Sequence, residues 1–139
     1  IEPWGIWGQA PPPGVWNFYS YWCEMKKSGD GKYWGNSFRP AADVPVVRGK
    51  WICVEIRVKC NTVGQADGEQ AFWIDGKGAG RWGGLRWRTD EALDVNGVCL
   101  SYYMTPNAAR QNKVAAPPAS GRVRFDDVVL ATEYIGPRE

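Results

Sequence analysis

Residues 50–60, Lys-Trp-Ile-Cys-Val-Glu-Ile-Arg-Val-Lys-Cys, carry the clearest alternating pattern in the chain. Every second residue from Ile52 to Cys60 is apolar, and the residues between them run from Trp51 to Lys59 and are mostly polar. Because successive side chains of a β-strand point to opposite faces, this pattern predicts a half-buried strand with a polar outer face.

The sequence before this strand also predicts β structure. Residues 15–25 are dense in aromatic and β-branched residues and contain no helix breaker, which is typical of a strand. Ser28–Gly31 predicts a hairpin turn that leads into a second strand over 32–38. Two prolines in residues 39–49 predict a loop.

Shorter strands are predicted after residue 60. In the first of them Phe72 and Ile74 point inward, Trp73 points outward, and Asp75-Gly76 closes the strand with a tight turn. Further strands are predicted over 78–88, 97–105 and 122–131, the last with a bulge at Asp126-Asp127, and a loop over 106–120. Together the strands predict an all-β protein, an antiparallel β-sandwich of jelly-roll type with one domain over 15–139.

The composition limits the classes of protein that the chain can belong to. With 17 Gly and 10 Pro in 139 residues, long helices are not expected. The formal net charge of +2 gives no basic excess, so no nucleic-acid partner is expected, and no apolar run is long enough to span a membrane. The chain has no His, which excludes imidazole bases and His-ligated zinc. Nine Trp are far more than the roughly two expected at this length.

The first residue favours a secreted protein, and secretion in turn favours at least one disulfide among the four cysteines. The chain begins at Ile1 rather than Met, as a processed secreted protein does, although a truncated chain would look the same. The four cysteines predict either two disulfides, in one of three pairings, or buried free thiols. They are Cys23, Cys53, Cys60 and Cys99.

Residues 1–14 form an aromatic and proline-rich arm. Trp4, Ile6 and Trp7 are separated from the domain by Pro11, Pro12 and Pro13, and triproline predicts a stiff, extended spacer. The arm can fold back on its own sheet, or it can add a strand to a neighbouring subunit. The second arrangement is head-to-tail and generates a filament when it does not close into a ring, so a homo-oligomer or polymer of the chain is expected.

A resemblance covers about residues 49–137. Gly-Lys-Trp at 49–51, Val-Lys-Cys-Asn at 58–61, Phe-Trp-Ile-Asp-Gly at 72–76 and Phe-Asp-Asp-Val-Val-Leu-Ala at 125–131 resemble the concanavalin A-like jelly rolls of polysaccharide-lyase-type proteins. The same motifs are similar to laminin-G-like lectin modules. The resemblance implies a carbohydrate partner.

A polysaccharide lyase must neutralise a uronate carboxylate, remove the C5 proton and protonate the leaving oxygen. Arginines supply the positive charge for the first step, and tyrosines can act as base and acid. A hydrolase would instead need two carboxylates, for which Glu24 and Glu55 are candidates. The candidates for lyase catalysis are Arg57, Arg86, Arg88, Tyr19, Tyr21 and Tyr103.

Aromatic side chains on an outer face can also bind sugars by stacking, with Arg57 at the edge. The candidate platforms for a glycan are Trp51, Trp73, Trp82, Trp87, Tyr21 and Tyr103. For Trp16, Trp22 and Trp34 we expect core packing.

No cofactor is expected, apart from a structural Ca²⁺ of the kind that the resembling domains often carry. Asp75, Asp126 and Asp127 are its candidate ligands, since Ca²⁺ prefers hard oxygen ligands. Asp75 is equally explained by the turn.

Three functions are compatible with these observations. Because His and recognisable lyase signatures are absent, the sequence favours a non-catalytic secreted structural module that self-assembles through its arm and presents a lectin-like face. The second hypothesis is a polysaccharide lyase, or a remnant of one, acting on a uronate-containing glycan. The third is a monomeric carbohydrate-binding module.

Overall fold

The computed structural model describes residues 1–111, 113 and 121–137 of the chain. Its regular structure is almost entirely antiparallel β and forms two three-stranded sheets, which confirms the all-β sandwich. The first sheet contains β1 (Glu2–Trp4), β2 (Val15–Ser20) and β3 (Asn36–Phe38), in that order. The second sheet contains β4 (Val54–Lys59), β5 (Gly68–Ile74) and β6 (Lys77–Leu85), also in sequence order.

The hairpin between β5 and β6 forms as the sequence predicts. Asp75 and Gly76 are its two loop residues, with φ angles of 48° and 74°. Positive φ at both positions is the geometry of a type I′ turn, whose twist matches that of the flanking strands. The Asp75 carboxylate also accepts the backbone N–H of Cys53 at 2.9 Å, so the turn is tied to the start of β4.

The two sheets pack through a cluster of aromatic rings. Phe18 of β2 makes edge-to-face contacts with Phe72 of β5 and Trp82 of β6, at centroid distances of 5.3 and 5.8 Å. Phe38 of β3 contacts the same Trp82 ring at 5.8 Å. We therefore correct the expectation for Trp82: its ring lies between the sheets and not on the outer face.

The alternation in residues 50–60 predicts which side chains share a face, but not how deeply they are buried. Ile56 lies directly opposite Phe72 in the register, so the predicted face is confirmed. Phe72 is fully buried, whereas Val54, Ile56 and Val58 remain 38–46% exposed. The aromatic rings of the first sheet pack on Phe72 of β5 and Trp82 of β6, so β4 lies to the side of the main contact between the sheets.

The N-terminal arm folds back on its own sheet. β1 pairs with β2 of the same chain, with Glu2 opposite Asn17 and Trp4 opposite Val15. Ile6 is buried, and the Trp7 ring packs edge-on against that of Trp4 at 5.7 Å while remaining 55% exposed. Of the two arrangements that the sequence left open, the structure contains the intrachain one.

The triproline segment is not the extended spacer that the sequence predicts. The backbone N–H of Gly14 donates to the carbonyl of Pro11 at 2.8 Å, so the chain turns across Pro12 and Pro13. This turn brings β2 back alongside β1.

Several predicted strands are shorter or absent. The strand predicted over 15–25 ends at Ser20, and the one over 32–38 is reduced to Asn36–Phe38. Residues 97–105 and 121–131 are largely exposed and form no strand in the described structure. Asp127, in the predicted bulge, has a φ of 49°, and the described residues around it form no strand.

A short helix, α1 (Pro106–Gln111), begins in the predicted loop 106–120, and residues 112 and 114–120 of that loop lie outside the described residues. Thr105 caps this helix, since its hydroxyl accepts the N–H of Ala108 at 3.0 Å. Pro106 follows at the first helical position, where a missing N–H costs nothing.

Of the two alternatives for the cysteines, the structure has free thiols, but Cys23 and Cys99 are exposed and not buried. Cys53 and Cys60 lie just beyond opposite ends of β4, about 23 Å apart at the strand rise per residue, so they cannot pair with each other. The Cys60 thiol instead donates to the Asp94 carboxylate at 3.4 Å. Burial, together with Asp94, raises the pKa of Cys60 and keeps the thiol protonated.

The described part of the chain contains no helix with the length and apolar character that crossing a membrane requires.

Candidate functional site

Two tyrosines meet on the outer face of the first sheet. Phe18 points inward to the aromatic cluster, so its neighbour Tyr19 points outward. The Tyr19 and Tyr21 rings lie edge-to-face at 5.5 Å. Both are accessible, with exposed fractions of 36% and 54%. We call Tyr19 and Tyr21 the tyrosine pair.

Polar side chains lie beside the tyrosine pair. Asn17, two residues before Tyr19 on the same face, is fully buried. Its amide donates to the Ser37 hydroxyl at 3.5 Å, and its Oδ1 has no hydrogen-bond partner among the described residues. Glu2, opposite Asn17 in the register, is half-buried, and this burial raises the pKa of its carboxyl.

The surroundings of Tyr19 hold its phenol in the protonated form. Partial burial raises the pKa of Tyr19 to about 12, and the Tyr21 hydroxyl and the charge of Glu2 act in the same direction. The backbone N–H of Gly35 opposes this shift by favouring the phenolate. Gly35 also lies flat against the Tyr19 ring, because a Cβ at that position would come within 2.8 Å of ring atom Cε1. Tyr19 is therefore a proton donor at neutral pH.

Positive charge is concentrated in the loop that follows the pair, residues 26–34, which we call the lysine loop. Residues on both sides of this loop hold it near the pair. Before the loop, the Trp22 indole N–H donates to Asn36 at 3.0 Å, and after it Gly35 lies against the Tyr19 ring. Lys27 lies over the Tyr33 ring at 5.3 Å, and Lys32 lies over the Trp34 ring at 5.9 Å. Cation–π contacts of this kind hold the lysines in place while their charges stay in solvent.

The sequence interpretation missed the lysine loop. It placed Trp34 in the core, but Trp34 is 47% exposed, and its indole N–H donates to Asp30 at 3.0 Å. Trp16 and Trp22 are partly buried, as expected. The missed signal is the close spacing of lysines and aromatics in Lys26-Lys27 and Lys32-Tyr33-Trp34, on either side of a predicted turn.

The raised pKa of Tyr19 leads to a prediction on stability against pH. A phenol whose pKa is higher in the folded state than in the unfolded state stabilises the fold fully below pH 10. That contribution is lost as the pH rises from 10 toward about 12. We expect the urea midpoint to fall over this interval, and Tyr19→Phe to reduce the fall. An equal fall in Tyr19→Phe would contradict the prediction, and Tyr102→Phe is the exposed control.

Among the described residues, no hydrogen bond or ion pair joins the arginine candidates to the tyrosine pair. Arg86 comes near it, because its carbonyl accepts the N–H of Cys23, two residues after Tyr21, at 3.1 Å. Arg57 lies on the outer face of the second sheet, on the opposite side of the sandwich. Arg86 forms an ion pair with Glu24 at 2.8 Å. Arg88 donates to the backbone carbonyls of Asn61, Glu91 and Leu93 at 2.9–3.3 Å and supports the chain there.

Tyr103 is 75% exposed, and it follows Tyr102 in a segment without regular structure. Its predicted role remains a prediction.

The candidate platforms for a glycan fall into different environments. Trp51 is 64% exposed. Trp73 is half-buried on the outer face of the second sheet, with the Tyr134 ring at 5.1 Å. Trp87 is partly buried and has a supporting role, because its indole N–H donates to the carbonyl of Glu69 at 3.3 Å.

The candidate calcium ligands do not form a cluster. Within residues 1–111, 113 and 121–137, no three Asp, Glu, Cys or His side chains are grouped so that they could hold a metal ion. Asp75 accepts the Cys53 N–H, and the Asp126 carboxylate accepts the N–H of Asp127 at 2.9 Å. The first contact ties the Asp75-Gly76 turn to the start of β4, and the second is local to residues 126 and 127. The calcium site remains a prediction.

The fold places the chain among the antiparallel β-sandwich proteins. Within that class, the model of the polysaccharide lyase 14 family matches residues 17–112, well over half of the chain. The chain therefore belongs to the polysaccharide lyase 14 family. The matched region contains the tyrosine pair, the lysine loop and all of the second sheet. No curated protein and no solved structure matches the chain significantly.

Proposed function

We propose that this domain is a lyase that cleaves a uronate-containing polysaccharide by β-elimination at the tyrosine pair. The observation that carries the proposal is the contact of Tyr19 with Tyr21 on an accessible face, beside a loop that holds Lys27 and Lys32. Membership of the polysaccharide lyase 14 family supports it.

The proposed reaction moves one proton off the sugar and one proton onto it. A base takes the proton from C5 of the uronate, and the electrons of that C–H bond form the C4–C5 double bond. The C4–O4 bond breaks, and the leaving oxygen keeps its electron pair and accepts a proton from an acid. One product carries the unsaturated uronate and the other carries a free hydroxyl, so no oxidant or reductant is needed.

The two tyrosines suit different parts of this reaction. With a pKa of about 12, Tyr19 holds its proton at neutral pH and is the general acid for the leaving oxygen. Tyr21, with its hydroxyl next to that of Tyr19, is the base in this scheme. Lys27 and Lys32 oppose the charge of the uronate carboxylate, which stabilises the negative charge that builds up when the C5 proton leaves.

Incubation with polymannuronate, polyguluronate, polygalacturonate and polyglucuronate tests the proposal, with the ultraviolet absorbance of the unsaturated product as the readout. We expect one or more polymers to be cleaved, and Tyr19→Phe to lower kcat by about 100-fold or more, as loss of an acid–base group does. Lys32→Gln should mainly raise KM, and Tyr102→Phe, an exposed tyrosine outside the pair, should change neither parameter. No unsaturated product from any polymer, or full activity of Tyr19→Phe, would reject the proposal.

Self-assembly through the arm has less support, because Glu2–Trp4 already pairs with β2 of its own chain. The absence of His, which favours a non-catalytic module, excludes only an imidazole base. A tyrosine pair beside lysines can transfer the same protons. We also propose that the protein acts outside the cell, where a polysaccharide substrate is accessible.

A further inference from the structure

The outer face of the second sheet combines an aromatic ring, open space and positive charge. Trp73 lies opposite Glu55 on one side and Gly78 on the other. Gly78 has no side chain, and a Cβ there would lie 3.6 Å from the indole nitrogen, so the strand runs directly beside the ring without covering it. Ala71, two residues before Trp73 on the same face, is also small.

A β-bulge shapes this face. The register between β5 and β6 shifts between Phe72 and Trp73, which lie opposite Gly80 and Gly78. Bulges bend a strand and re-aim the neighbouring side chains. A cavity of about 320 Å³ lies at this bulge, lined by Trp73, Ala71, Arg81 and the residues around Gly78.

Two arginines stand beside the cavity and share one carboxylate. Arg57 and Arg81 lie on either side of Ala71 in the register, and both contact the same oxygen of Glu69, at 3.5 and 2.7 Å. Their side chains are 51% and 66% exposed, whereas that of Glu69 is 22% exposed. The carboxylate balances one of the two charges. Glu69 lies four residues from Trp73 on β5, about 13 Å away, so the net positive charge faces solvent at about that distance along the same face.

The other side of Trp73 is held by the C-terminal segment. Tyr134 packs on the indole and donates its hydroxyl to the carbonyl of Gly76 at 3.3 Å. The Glu55 carboxylate accepts the backbone N–H groups of Ile135 and Gly136 at 3.0 and 2.9 Å. These contacts occupy Glu55, and they fix the Trp73 ring in place before any ligand arrives, which lowers the entropic cost of binding.

We propose that Trp73, Arg57 and Arg81 form a second glycan-binding surface, separate from the tyrosine pair, that holds an acidic polysaccharide without cleaving it. A sugar ring stacks on the indole in the open space beside the exposed Gly78, and a carboxylate further along the same glycan pairs with the arginines. The choice of an acidic glycan rests on charge complementarity and on the substrate class of the proposed function. The surface faces away from Tyr19, because the sheets lie about 10 Å apart and the two faces point in opposite directions.

Affinity electrophoresis in gels containing each of the four polyuronates, with a neutral glucan gel as reference, measures binding without requiring turnover. We expect Trp73→Ala and the double variant Arg57→Gln/Arg81→Gln to weaken retardation by the polyuronate about tenfold. Trp7→Ala and Arg48→Gln remove an exposed indole and an exposed charge elsewhere, and they should leave retardation unchanged. Near-UV circular dichroism confirms that each variant is folded.

The two proposals fail separately. Tyr19→Phe should lose cleavage but keep its retardation by the polymer. Trp73→Ala should keep its kcat on short oligosaccharides, which reach the tyrosine pair alone. Unchanged retardation of a folded Trp73→Ala protein would overturn the second surface, and equal retardation of the wild type in neutral glucan would overturn its acidic ligand. Neither outcome bears on cleavage at the tyrosine pair.

Discussion

Replacing Phe72 by Ala should destabilise the protein by about 3–5 kcal/mol, the usual cost of removing a buried aromatic ring from a core. Phe72 is fully buried and is the central ring of the second sheet, with Phe18 at 5.3 Å and Trp82 stacked at 6.1 Å. Ala would remove ring contacts on both sheets, because the Phe72 ring contacts Phe18 of the first sheet and Trp82 of the second. A small domain has only about 5–15 kcal/mol of total stability, so the loss is a large part of it.

Ile56→Ala is the matched control for this experiment. Ile56 lies directly opposite Phe72 on the same face, but it is 46% exposed. We expect it to cost about 1 kcal/mol or less, since little of its surface is buried. Urea unfolding followed by tryptophan fluorescence measures both values. Similar losses for the two variants would show that the aromatic cluster does not hold the sheets together.

Replacing Asn61 by Ala should cost about 3–5 kcal/mol by a different mechanism, since four partly buried hydrogen bonds to the backbone are lost together. The Asn61 oxygen accepts the N–H groups of Trp87 and Arg88 at 2.7 and 2.9 Å. Its amide donates to the carbonyls of Thr62 and Arg88 at 2.9 and 3.1 Å. Asn61 is fully buried, so water cannot replace these four bonds without local opening.

Thr62→Val and Asn61→Asp are the controls for this variant. The Thr62 hydroxyl donates to the exposed Asp67 carboxylate at 2.8 Å, so its loss should cost about 1 kcal/mol or less. Asn61→Asp keeps one acceptor oxygen but places a second oxygen against the two carbonyls, and it should be less stable at neutral pH than at acid pH, where the carboxyl can donate. The midpoint of urea unfolding at pH 7 and pH 4 distinguishes these cases. An Asn61→Ala protein as stable as Thr62→Val would contradict the assigned role.

Periodicity in the sequence predicts strand faces well and burial poorly. The alternation from Ile52 to Cys60 and the Asp75-Gly76 turn predict β4, the β5–β6 hairpin and the shared face of Ile56 and Phe72. Local pattern carries no information on which strands the opposite sheet covers, and so the exposure of β4 could not be predicted.

Local sequence signals explain two features that the strand and core predictions place wrongly. Thr105-Pro106 is a helix start signal, and residues 97–105 resemble a strand only by composition. The size of the Trp34 side chain predicts core packing. Its contacts with the charged residues Asp30 and Lys32 instead keep it at the surface.

The candidate sites depend on contacts between distant segments, which a single sequence does not show. Tyr19, Tyr21, Trp73 and Arg57 were all named from the sequence, because strand parity places them on outer faces. Their separation onto opposite sides of the sandwich follows from the packing of Phe18 on Phe72. The role of Glu69 between Arg57 and Arg81 needs the register of three strands, and the link from Glu55 to Gly136 spans 81 residues.

The positions of residues 1 and 137 in the sandwich determine what a segment attached at either point can reach. The first strand lies at the edge of the first sheet, whereas Tyr134 and the residues after it lie on the second sheet beside Trp73. A reporter or partner domain fused after residue 137 would start at the Trp73 side, where a short linker gives it a high effective concentration over that surface. The same fusion placed before residue 1 would start on the first sheet, so the choice of terminus decides which side of the sandwich a fused partner can reach.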